Sequence, residues 1–185
     1  MFSLKTISNR KSDLITFTVL FLISFSSLII KHPFHFTAVL ASGFAFQILN
    51  PNNKYLGFGL SIFSYFVFEV FNDFSFMNVS FYPSTILAFL VLITFQKSDL
   101  FGNLKATVIA SLTFFLVSNS FVFFEGVLYP MNLSGYFQCL YMGIPFYKWQ
   151  IAADVLGTLL LVKLVSTLQF STTGSKIKNH LVKNK

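Results

Sequence analysis

Residues 106–124 read ATVIASLTFFLVSNSFVFF. Nineteen residues pass without an ionisable side chain. Apolar and polar positions do not alternate, so the period of two that a barrel strand requires is missing. A continuous apolar run of this length predicts a helix able to cross a bilayer, which takes about 20 residues. Backbone groups left unpaired in lipid are too costly for any open structure, so helix is the reading that fits.

Working outward, the same pattern recurs. Apolar stretches at 14–30, 36–49, 55–71, 83–95 and 150–170 join 106–124 to make six expected helices. The second and fourth are short for a full crossing. The whole 185-residue chain is 55% hydrophobic, has 27 Phe and is only 10% charged. Its mean hydropathy is +0.72. A soluble core of this size needs a charged shell, and too little charge is present to make one. The expected fold class is all-α: a polytopic membrane protein with one six-helix domain over 1–185. Residues 125–149 are apolar but carry Gly126, Pro130, Gly135, Gly143 and Pro145. They read as a structured loop holding at most one short helix, capped by Asn132 or Ser134. Residues 171–185 read as a polar, basic tail.

Lys5, Arg10 and Lys11 precede the first apolar run, as in a signal peptide, but no small-x-small site closely follows Ile30. An uncleaved first helix is the expectation. With the N-terminus in the cytoplasm and six crossings, ten basic residues fall inside: Lys5, Arg10, Lys11, Lys54, Lys97, Lys105, Lys176, Lys178, Lys183 and Lys185. Lys31 and Lys148 fall outside, and Lys163 lies in the last helix near its inner end. This bias follows the retention of positive charge on the cytoplasmic face. It predicts an inner (plasma) membrane protein with both termini cytoplasmic. The net charge of +7 then points to anionic lipid headgroups rather than to nucleic acid.

Carboxyl groups fall mostly on the outer side: Glu69, Asp73, Glu125 and Asp154, against Asp13 and Asp99 inside. Ionisable groups in lipid cost roughly 2.5–3.5 kcal/mol each and usually face a bundle interior or a water-filled cavity. The expected site is an outward cup for a small cationic or hydrogen-bonding molecule. Asn119 and Tyr129 would bond the ligand, Asp154 and Glu125 would supply negative charge, and the first outer loop, with His32 and His35, would act as lid. Glu69 and Asp73 read as solvated at the interface. A metal site from His32, His35 and Cys139 has the residue types but no supporting spacing. No cofactor is expected. The single cysteine allows no internal disulfide. Enzyme chemistry finds no motif: there is no Gly-rich phosphate loop, no Gly-x-Ser-x-Gly, no His-Glu-x-x-His and no Cys-x-x-Cys. The alternatives are a structural or assembly protein of the envelope and, third, an intramembrane enzyme using Glu125 or Asp154. Ala41 and Ala45, four apart, read as a close-packing face on the second helix.

The run from Ser118 to Pro130, SNSFVFFEGVLYP, continues through Gly135, Cys139, Ile144-Pro145-Phe146 and Asp154. With His32-Pro33 and Phe36-Thr37, it resembles the signature of a family of uncharacterised bacterial membrane proteins. The chain departs from that pattern at His35, Ala38, Phe123 and Glu125. The family is similar in layout to the substrate-binding S subunits of energy-coupling factor (ECF) transporters. That resemblance implies six helices with both ends inside and an outward ligand pocket roofed by the first and fifth loops. It also implies partnership with a transmembrane coupling subunit and two ATPases. The alanines spaced four apart that mark docking on the first helix of an S subunit are absent from 14–30.

Overall fold

The computed structural model describes residues 10–30, 38–53, 55–71, 79–97 and 99–183. They form six α-helices: α1 (Arg10–Ile29), α2 (Val39–Leu49), α3 (Leu56–Phe71), α4 (Phe81–Phe95), α5 (Leu100–Phe124) and α6 (Leu133–Lys183). No strand occurs among the described residues.

The helices pack around α2. Ten of its eleven residues, Val39 through Ile48, are buried. Its contacts run to α1, α3, α4 and α6. Gly43 and Gly57 explain how α2 and α3 approach so closely. A Cβ on Gly43 would meet the Gly57 carbonyl oxygen and Phe89 Cζ, both at 2.6 Å, and Ser61 Oγ closer still. Small residues at such crossings bring backbones together. Ser61 Oγ then donates to the Val39 carbonyl at 2.9 Å. On the other side Ala41 faces Gly157, where a Cβ would stand 2.9 Å away. Ala41 and Ala45 are both fully buried. Two apolar clusters flank α2. One joins Leu20, Phe46, Ile48, Leu60 and Leu161. The other joins Phe44, Phe89, Leu92 and Ala110.

Successive helices alternate in direction. At one end, Asn53 Nδ2 donates to Asp13 Oδ2 at 3.1 Å, Gln96 Nε2 to the Gln47 carbonyl at 3.2 Å, and the Lys97 amide to Asn103 Oδ1 at 2.8 Å. The start of α1, the α2–α3 turn and the α4–α5 joint therefore lie together. At the other end the Ala38 amide donates to Ser27 Oγ at 2.9 Å.

The helix limits differ from the sequence expectation in informative ways. α5 starts at Leu100 rather than 106, because Asp99 caps it: the Gly102 amide donates to Asp99 Oδ2 at 2.7 Å. α4 gains Phe81 and Tyr82, while residues 36–37 of the expected second helix lie outside the described residues. The largest correction concerns 125–149. Only 125–132 is a connection; from Leu133 the chain is helical through Lys183, including Pro145 and much of the expected tail. Gly135 and Gly143 do not break this helix. They are contact points, where α6 touches Pro130 and Asn119 respectively. Gly126, by contrast, does end a helix: its φ of 69° is the left-handed conformation that follows a helix C-terminus.

Among the described residues two helices are long and apolar enough to cross a membrane, Leu100–Phe124 and Leu133–Leu168; the other apolar stretches, Asp13–Ile29, Val39–Leu49, Leu56–Phe71 and Phe81–Phe95, are shorter.

Candidate functional site: two buried carboxyl groups

Asp154 lies on α6 and is 1% exposed. Ser111 Oγ, from α5, donates to its Oδ2 at 2.6 Å. Ser111 is itself buried. The pair bridges α5 and α6 just beyond the point where Thr158 Oγ1 reaches the Ala41 carbonyl of α2, at 3.5 Å. Gln150 stands one turn before Asp154 on the same helix, and its side chain interacts with the Asp154 carboxyl. A buried carboxyl is costly unless paired, and Ser111 and Gln150 supply its partners here.

The other expected site residues do not gather around Asp154. Asn119 is half-buried, eight positions beyond Ser111 on α5, or about 12 Å along the axis. Its Nδ2 donates to the Phe115 carbonyl at 2.8 Å, and its own carbonyl accepts from Cys139 Sγ at 3.4 Å. A Cβ on Gly143 would stand 2.7 Å from Asn119 Oδ1. Asn119 therefore sits in the seam where α5 meets α6. Glu125 is exposed, fourteen positions beyond Ser111, about 21 Å along α5. A single small ligand does not reach both Asp154 and Glu125. Tyr129 is half-buried in the connection between α5 and α6. His32, His35 and Asp73 lie outside the described residues. Among the described residues no three His, Cys, Asp or Glu side chains come together as metal ligands.

Glu69 corrects the sequence reading. It is 2% exposed, not solvated at an interface. It lies on α3, where Tyr82 of α4 donates its phenol proton to Glu69 Oε2. Oε1 is buried without a hydrogen-bond partner among the described residues. Tyr65, one turn before Glu69 on the same helix, stacks on Phe81 with ring centroids 3.8 Å apart. Sequence alone offered one clue: Tyr65 and Glu69 share a face at a spacing of four, on a helix with no other charge. The partner across the bundle, Tyr82, follows only from the α3–α4 pairing.

Ser120, Pro130 and Gly135, which carry the family resemblance, build the α5–α6 hairpin together with Asn132 and Tyr136. Asn132 Oδ1 caps α6 by accepting from the Gly135 amide at 2.8 Å. Gly135 packs on the Pro130 carbonyl so tightly that a side chain does not fit. Ser120 Oγ and the Tyr136 hydroxyl share a hydrogen bond at 3.1 Å. No curated protein and no solved structure matches the chain. A family model does match, over residues 8–176, and the chain accordingly belongs to a family of unknown function, DUF6580.

Proposed function

We propose that this chain is a six-span protein of the plasma membrane, both ends cytoplasmic, that takes a small hydrogen-bonding or cationic solute from the outer side. It would serve as the binding component of an uptake system, in the manner of an ECF S subunit, and not as an enzyme. The observation that carries this reading is Asp154: a carboxyl 1% exposed, bonded to Ser111 across two largely apolar helices long enough to span. Such a group inside lipid is expensive and serves a ligand or ion more often than packing. The cationic end residues support the orientation. Lys97 and Lys105 are exposed at the end that holds the α4–α5 joint, with Lys105 Nζ 4.5 Å from the Phe101 ring centre. The eleven-residue α2 suits a bundle in which it is enclosed by protein and has no need to match the bilayer.

The test is thermal unfolding of the purified, detergent-solubilised protein with vitamins, nucleobases and divalent metal salts. A ligand at a hundredfold excess over its Kd stabilises by about 2.7 kcal/mol. A compound that raises the Tm of wild type but not of Asp154→Asn is expected. If nothing raises it, or if Asp154→Asn responds equally, the binding role is wrong.

A second reading, a non-catalytic assembly protein, draws on the hairpin tip. Val127 is 80% exposed, with Leu128, Met131 and Leu133 beside it, so the tip offers an apolar surface.

A further inference from the structure

The Glu69 cluster has more chemistry than helix packing uses. Its carboxyl is 2% exposed and one oxygen has no partner among the described residues. Tyr82 bonds it, Tyr65 stands one turn before it, and Phe81 packs on both tyrosines. Tyr65 and Phe81 stack at 3.8 Å, while Tyr82 meets both edge-on, with centroids 6.0 Å away and interplanar angles of 75° and 86°. Phe114 of α5 closes the group, edge-on to Phe81 at 5.6 Å. Mere packing is poorly served by a carboxyl here, because an apolar side chain of similar size leaves no unsatisfied oxygen.

We propose that Glu69, Tyr82 and Tyr65 form a binding site for a small organic ammonium ion where α3 ends and α4 begins. The aromatic faces attract a cation through their quadrupoles, an effect strengthened where water is excluded. Glu69 Oε1 accepts an N–H from the ammonium, while Tyr82 holds Oε2 and fixes the carboxyl. A metal ion fits less well. Calcium takes six to eight oxygens and magnesium a near-ideal octahedron. The cluster offers one free carboxyl oxygen and hydroxyls on two tyrosines. The site stands apart from Asp154, on the α3–α4 interface instead of α5–α6.

Titration calorimetry and thermal unfolding of the full-length protein in detergent test this, with methylammonium chloride as probe and NaCl at matched ionic strength as control. Saturable heat with methylammonium is expected, with a Tm rise of about 5 °C near saturation. Tetramethylammonium, which has no N–H for Glu69, should bind at least tenfold more weakly. Glu69→Gln should lose binding at least tenfold, and Tyr65→Leu, which keeps the carboxyl, severalfold. Should Glu69→Gln not fold, Tyr65→Leu decides alone: weaker binding supports the site and unchanged affinity overturns it. No saturable binding, an equal response to NaCl, or full binding by Glu69→Gln also overturns it. Asp154→Asn should bind methylammonium as wild type does, so this site and the one at Asp154 stand or fall separately.

Discussion

The helices around α2 and the α5–α6 hairpin are made from similar residues and packed in opposite ways. In α2, eleven residues about 16 Å long are enclosed on nearly every side. Beyond Phe114, where the start of α4 meets α5, the hairpin continues with two helices and their connection. Along that stretch Phe121, Phe124, Leu133, Phe137 and Tyr141 are all exposed. In the first turns of α6 the buried Cys139 faces α5 and the buried Gly135 packs on Pro130 of the connection, while most other positions there are open. Phe44, Phe46 and Phe89 in α2 and α4 are core, whereas Phe121, Phe124 and Phe137 in the hairpin are surface that lipid can cover. Hydrophobicity alone does not separate the two roles. Close contacts do: Gly43 and Gly57 stand where α2 and α3 must come near one another.

The strongest test of that contrast compares two phenylalanines. Phe89 is 2% exposed and touches Phe44 and Phe58, with centroids at 5.0 and 5.9 Å. Phe89→Ala should cost about 3–5 kcal/mol, through lost contacts and the cavity left behind. Phe137 is 60% exposed, and Phe137→Ala should change stability by less than about 0.5 kcal/mol. Equal losses in denaturant unfolding of the solubilised protein would mean that the hairpin has a protein neighbour not yet placed.

A pair of glycines sharpens the comparison with opposite signs. Gly43→Ala drives a methyl into the Gly57 carbonyl and Phe89 and should destabilise by about 2 kcal/mol. Gly59, in α3, has nothing within 4 Å of its would-be Cβ. Gly59→Ala should stabilise by about 0.5 kcal/mol, since alanine restricts the unfolded chain and favours the helix. Tm shifts of opposite direction check it.

Much of the architecture was legible because apolar length is a strong cue. Six apolar stretches did lead to six helices, and Ala41 and Ala45 did mark a buried face. The failures share a cause. Gly135, Gly143 and Pro145 look like breakers in a string of letters, yet a glycine on a helix is also how another helix approaches. The difference between Gly126, at φ 69°, and Gly143, against Asn119, is set by the neighbour and not by the local sequence. The site was legible in part. Asp154 stood out as a carboxyl in an apolar run, but Ser111 lies 43 positions away and joins it only through the α5–α6 pairing. Glu69 was misread because a carboxyl two residues before the end of a helix is usually wet. Here Tyr82, from the next helix, covers it.

The smallest expected effect asks whether the two regions open independently. The first amides of any helix have no partner within it. At the hairpin tip Asn132 supplies one, through Oδ1 to the Gly135 amide at 2.8 Å. Asn132→Ala removes that acceptor and should cost about 1 kcal/mol, whereas Asn132→Asp keeps it and should cost little. Because the upper hairpin rests mainly on itself, the loss should stay local. Amide exchange should quicken about fivefold over residues 133–139 and stay unchanged in α2, where the helix is enclosed. If α2 loosens to the same degree, the hairpin and the packed core unfold as one cooperative unit, and the contrast in exposure does not translate into a contrast in stability.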